Sequence, residues 1–203
     1  MTDLPSSIPS NPDDNALLDA AMTRYAAGDD STFGEVYDRL APRLFAFLLR
    51  QVRDRARAED LLQQTMLNIH RARGSFAPGA GVVPWAFAIA RRLLIDQHRR
   101  KKRDVSSFAD DESEEDLLES FDARADDVAI AKQTARRLDA QLLRLPENQR
   151  VAFQLLRQEA LSVSEAAQVL GTTATAVKLR AHRAYEALRA VLETADHPIE
   201  ATR

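Results

Sequence analysis

The sequence predicts an all-α protein of two small helical units joined by a flexible acidic linker. Three observations carry that expectation. Glycine and proline number six and eight in 203 residues, below their usual combined ~12% share, which argues against a sandwich or barrel of many short strands. Apolar residues recur at steps of three and four along most of the chain, and no stretch alternates at period two long enough to be a strand. Charge is segregated: Arg91, Arg92, Arg99, Arg100, Lys101, Lys102 and Arg103 form a basic run, and eleven acids against Arg124 alone follow between Asp104 and Asp127. The net charge of −3 conceals this alternation, which returns to positive at Lys178, Arg180 and Arg183.

Residues 1–14 are rich in Pro, Ser and Asp and are expected to be disordered, with helix starting near Asn15. Val36, Leu40, Leu44, Phe47, Leu48 and Val52 mark one helical face, with Pro42 set either to kink the helix or to divide it. Ala58, Leu61, Leu62, Thr65, Met66 and Ile69 mark a second face, leaving Asp60, Gln63 and Gln64 on the polar side. Residues 74–84 hold three glycines and two prolines and read as a loop. Pro84 suits the first turn of the next helix, whose stripe Trp85, Ile89 and Leu93 runs into the basic tail. Phe76, in the loop, reads as an exposed aromatic. Aromatic and arginine groups together suit unstacked bases and single-strand backbone.

The acidic stretch 104–127 reads as the linker. Helix resumes near Val128 with Ala131, Ala135, Leu138, Leu142 and Leu145 in register, and Pro146 ends it and opens the next helix. The domain boundaries expected are therefore 15–103 and 128–195, with a tail at 196–203. Within the second unit, Ser164 is expected to cap a helix that ends at Gly171, and a second helix follows from Thr172–Thr175. Ala167, Gly171 and Val177 have the spacing of a helix-turn-helix: a small residue at the crossing, a glycine in the turn, and a branched residue pinning the second helix. On that second helix Lys178, Leu179, His182 and Arg183 lie opposite Val177, Ala181 and Ala184. Thr175 at its start and Arg180 complete a set suited to phosphates and base edges of duplex DNA.

The absence of cysteine excludes disulfides, thiolate metal sites and cysteine nucleophiles. No phosphate-binding glycine loop, nucleophile elbow or His/carboxylate ligand cluster is present, so neither an enzyme, a metal nor a cofactor is expected. No apolar run approaches the ~18 residues of a membrane span, and a cytoplasmic location is expected.

These segments together resemble the bacterial RNA polymerase sigma factors of the sigma-70 family, extracytoplasmic-function class. YDRLAPRLFAFLLRQVRDRARAEDLLQQTMLNIHRA resembles the family's polymerase-binding helices. SFAPGAGVVPW and WAFAIARRLLIDQHRRKKR resemble its −10 promoter segment. LPENQRVAFQLL and LSVSEAAQVLGTTATAVKLRAHRAYEALR resemble its −35-binding domain. The resemblance implies a sigma-2-like bundle, a sigma-4-like helix-turn-helix domain, and promoter-specific initiation with core RNA polymerase. It implies that Asp60, Leu61, Gln63 and Gln64 meet the clamp helices of the largest subunit and that the second unit meets the flap. Phe76 and the loop through Val83 would shape a pocket for a flipped −10 base, beside Trp85, with Arg91, Arg92, Arg99 and Arg100 on nearby phosphates. Lys178, Leu179, Arg180, His182, Arg183 and Thr175 would serve the −35 duplex, the acidic linker would run toward the RNA exit path, and an anti-sigma factor would be a partner. Two positions depart from the family pattern: Gln64, where an acidic residue is frequent, and Arg92, where Asn is frequent. A free-standing helix-turn-helix regulator explains residues 163–189 but neither the arginine helix nor the acidic stretch, and a protein-binding adaptor explains no basic surface.

Overall fold

The computed structural model describes residues 12–77, 79–105 and 137–196, with no strand among them. Four long helices form the first unit: α1 (Pro12–Ala26), α2 (Phe33–Val52), α3 (Arg55–Ala72) and α4 (Val82–Val105). Short 3₁₀ turns at Asp30–Thr32 and Arg73–Ser75 link α1 to α2 and follow α3. The second unit holds α5 (residues 137–144), α6 (Glu147–Arg157), α7 (Val163–Leu170) and α8 (Ala174–Asp196). Most of the expected linker, and Ala131 and Ala135, lie outside the described residues.

Helix α1 begins at Pro12, earlier than the expectation of disorder through residue 14. Proline is pre-set for a first helical turn, and Asp13 and Asp14 in that turn complement the positive end of the helix dipole. Asp14 also pairs with Arg39 of α2. Helix α2 runs unbroken through Pro42. The lost backbone bond, worth ~3 kcal/mol in a helix interior, is offset by burial of Leu40, Leu44, Phe47 and Leu48 on the inner face. In α3 the predicted face Ala58, Leu61, Leu62, Thr65, Met66 and Ile69 is buried throughout. Phe47 and Phe87 pack at the centre with ring centroids 5.1 Å apart.

Helix α4 starts at Val82, so Pro84 falls within its first turn. Its fully packed stripe is Val83, Ala86, Phe87, Ala90 and Leu94. The expected stripe of Trp85, Ile89 and Leu93 is only partly buried at its flank. The helix extends to Val105, two residues into the expected linker.

In the second unit Pro146 does precede α6. The cap of α7 is Ser162, not Ser164. Its hydroxyl accepts from the Glu165 N–H at 3.2 Å while the Glu165 carboxylate accepts from the Ser162 N–H at 2.7 Å. That reciprocal pair needs Ser and Glu three residues apart, which Ser164 cannot supply. Gly171 closes α7 in the left-handed conformation with φ 59°. Ala160, in the turn between α6 and α7, also has positive φ, 52°, with a hydrogen bond from the Leu161 N–H back to the Leu155 carbonyl at 3.0 Å.

Both caps can be tested by denaturant unfolding. Ser162→Ala should cost about 1 kcal/mol and Ser164→Ala, on an exposed position, nearly nothing. Ala160→Gly should stabilise the protein by up to about 1 kcal/mol, because it relieves a Cβ in left-handed backbone.

Candidate nucleic-acid interface

The helix-turn-helix is built as its spacing predicts. Ala167 is 8% exposed and Val177 fully buried where α7 meets α8. The Gly171 N–H reaches the carbonyls of Ala167 and Gln168, and the Thr173 hydroxyl accepts from the Ala176 N–H at 3.2 Å to start α8. Ala184 and Leu188 continue the inner face of α8 into a cluster with Leu142 and Leu145. Thr175, Lys178, Leu179, His182 and Arg183 are all exposed. Leu179 shows half its surface to solvent, an apolar group among cations, as contact with a thymine methyl would use. Arg180 differs from its neighbours: it is half-buried, and its charge acts on Arg91 of the first unit.

On α4, Arg92 and Arg99 are exposed and Arg91 is half-buried. The side chain of Arg100 lies outside the described residues. Burial lowers the Arg91 guanidinium from its usual range; Glu147 counters this and the like charge of Arg180 adds to it. Phe76 corrects an expectation. It is 5% exposed, not an open aromatic. Its ring packs edge-on against half-buried Trp85 at 5.2 Å and 60°, since two aromatic faces flanking a helix start gain more from each other than from water. The two rings form one unit at the mouth of the loop.

On α3, Asp60, Gln63 and Gln64 are exposed, and Gln64 donates to the Asn68 side chain at 3.2 Å. Leu61 does not join them. It is 1% exposed and belongs to the core, because it falls on the same helical stripe as Ala58 and Thr65. The polar face instead continues into Leu67, 40% exposed. Leu67 escapes a reading of the core periodicity, yet its place one and two turns on from Gln63, Gln64 and Asp60 makes it legible as part of their face.

The two units meet along α4 and α7, and one apolar cluster runs from α1–α4 into α6, α7 and Val177. At this junction Glu159 is 4% and Arg43 6% exposed. The Glu159 carboxylate accepts from Arg43 Nε at 3.3 Å and from Arg50 Nη2 at 3.1 Å. Burial raises the Glu159 carboxyl above the usual carboxylate range, against the pull of both arginines. Burial likewise lowers Arg50. Among the described residues no group of three or more His, Cys, Asp or Glu could hold a metal ion, and no helix is long and apolar enough to cross a membrane.

Comparison with known proteins matches two successive segments of the chain. Residues 36–104 match Sigma-70 region 2, and residues 135–188 match Sigma-70, region 4. The chain is 39% identical over 173 residues to the RNA polymerase sigma factor CarQ of Myxococcus xanthus, covering 84% of this chain and 95% of that one. It is 33% identical to the ECF RNA polymerase sigma factor SigF of Caulobacter vibrioides, covering 91% and 98%. Among solved structures, the sigma factor RpoE of Bartonella quintana, in complex with the anti-sigma factor NepR, aligns with TM-score 0.68 and 25% identity over 79% of this chain and 96% of that one. CnrH, bound to the cytosolic domain of CnrY, shares the fold at TM-score 0.59 and 24% identity, covering 87% and 97%.

Proposed function

The chain belongs to the sigma-70 family of RNA polymerase sigma factors, in its extracytoplasmic-function class, and we propose how its surfaces divide the work of starting transcription. It binds core RNA polymerase and directs promoter-specific initiation, and an anti-sigma factor is a further partner. Its work is binding and strand capture, with no covalent chemistry, and its place is the cytoplasm beside the polymerase.

The exposed face of α3, Asp60, Gln63 and Gln64 with Leu67 added, meets the clamp helices of the largest subunit. Leu61 serves this contact from behind, by seating the helix. The second unit meets the flap. Arg91, Arg92, Arg99 and Arg100 line α4 for the phosphates of the −10 strand. Phe76 and Trp85 brace the pocket for an extruded base. Because Phe76 is buried, it walls the pocket instead of stacking freely, and contacts made by the loop offset the few kcal/mol of base extrusion. Thr175, Lys178, Leu179, His182 and Arg183 read the −35 duplex, with Arg180 set at the edge of that surface.

The observation that carries this reading is the exposed cationic face of α8 behind a Gly171 turn, in one chain with a second arginine-bearing helix, α4. Run-off transcription with purified core polymerase on a genomic template tests it. Discrete starts that depend on the added chain are expected, and a template left silent defeats the reading.

Arg183→Ala should weaken −35 binding by the holoenzyme by ~1–3 kcal/mol and relax discrimination there. Lys178→Ala should weaken binding to all sequences and flatten the salt dependence by about one phosphate contact; promoter affinity measured from 50 to 200 mM salt separates the two. Phe76→Ala should destabilise the first unit by ~3 kcal/mol, so its effect on promoter opening is to be read against its unfolding curve.

A further inference from the structure

The start of α4 has no cap of its own. Helices leave their first backbone N–H groups without intrahelical partners, and a Ser, Thr, Asn or Asp just before the first turn ordinarily supplies an acceptor. Gly81 stands at that place and has no side chain to offer. Pro84 holds the position to glycine: a Cβ on Gly81 would come within 3.2 Å of two carbons of the proline ring, closer than carbon atoms ordinarily pack. The missing acceptor comes from another helix. Asp19, half-buried on α1, accepts from the Val82 N–H through Oδ1 at 2.8 Å across 63 positions of sequence. Its carboxylate also complements the positive end of the α4 dipole.

This contact fixes one end of the loop given to the −10 base, and the other end is fastened to the same side of the unit. Arg73, which opens the loop, pairs with Asp30 at 3.4 Å, and its guanidinium lies over the ring of Tyr25 on α1, 5.3 Å from the centroid. Between the two ends the Ala80 N–H closes a turn onto the Ala77 carbonyl at 3.0 Å, with Gly79 at φ 84°, and Phe76 packs on Trp85. We infer that Asp19 is a positioning residue for promoter opening: by capping α4 from α1 it holds the loop and Trp85 in the geometry that receives the extruded −10 base. The inference rests on the sigma-factor reading and deepens it. Base extrusion costs a few kcal/mol, and a loop already held in its receiving geometry spends less of its binding energy on becoming ordered. Asp19 acts through Val82 and touches no DNA itself.

Trp85 is the chain's one tryptophan and lies one turn after Val82, so its fluorescence reports on the loop in the free, full-length protein. Asp19→Ala should shift its emission to the red and raise its quenching by acrylamide, with unchanged helical circular dichroism. In holoenzyme, Asp19→Ala should weaken binding of a single-stranded −10 oligonucleotide, taken from a start site mapped with the wild-type chain, about fivefold, the size of one lost capping acceptor. Affinity for core polymerase and for a −35 duplex should stay at the wild-type level. Asp19→Asn keeps a side-chain oxygen to accept from Val82 and should restore both the fluorescence and the −10 binding. Wild-type quenching or wild-type −10 binding in Asp19→Ala, an Asn variant as defective as the Ala variant, or a parallel loss of −10, −35 and polymerase binding overturns the positioning role while wild-type transcription leaves the functional reading standing. A wild-type chain that cannot initiate removes that reading and this role with it.

Discussion

A carboxylate buried between two guanidinium groups is the constraint on which the arrangement of the two units turns. Moving such charges out of water costs several kcal/mol per ion, and the mutual attraction repays this only when geometry and extra hydrogen bonds are good. Here Arg43 spends its donors on both the carboxylate and the backbone carbonyl of Glu159 and on Asn15 Oδ1 at 2.7 Å. Burial nevertheless raises the Glu159 carboxyl and lowers Arg50, against the attraction between them. A contact of that kind supplies specificity of arrangement with modest net stability.

The apolar seam has the same double character. The second unit's own small cluster, Leu142, Leu145, Ala184 and Leu188, ties α5 to α8, while Val151, Leu155, Leu161, Val169 and Val177 belong to the larger cluster shared with the first unit. The inner faces of α6 and α7 are therefore saturated only in the closed arrangement.

How much of this was legible in the sequence depends on the range of the interaction concerned. The faces of α2 and α3 follow from spacing alone because each residue's neighbours are three and four positions away. The Gly171 turn follows because left-handed backbone favours glycine. Nearest-neighbour chemistry already strains at α7, where Ser162 and Ser164 are both plausible caps and only the reciprocal partner at Glu165 distinguishes them. Phe76 defeats composition altogether: a Gly/Pro loop suggests exposure, but the ring's fate is decided by Trp85, nine residues on. Glu159 and Arg43 are 116 positions apart, and nothing local marks either as buried, since charged residues are almost never fully buried unless paired. Leu61 shows the converse: its periodicity with Ala58 and Thr65 already assigns it to the core, where it is 1% exposed, within a segment that resembles a contact surface.

The site surfaces divide along the same line. Lys178, Leu179, His182 and Arg183 stay exposed while the units are joined, as do Arg92 and Arg99 of α4, whereas Arg91 is half-covered. The joined arrangement therefore half-covers one cation of α4 and leaves the outer face of α8 open. The burial of Arg91 beside Glu147 and Arg180, and the exposure of Arg183 one turn further along α8, follow from a single packing of α7 on α4.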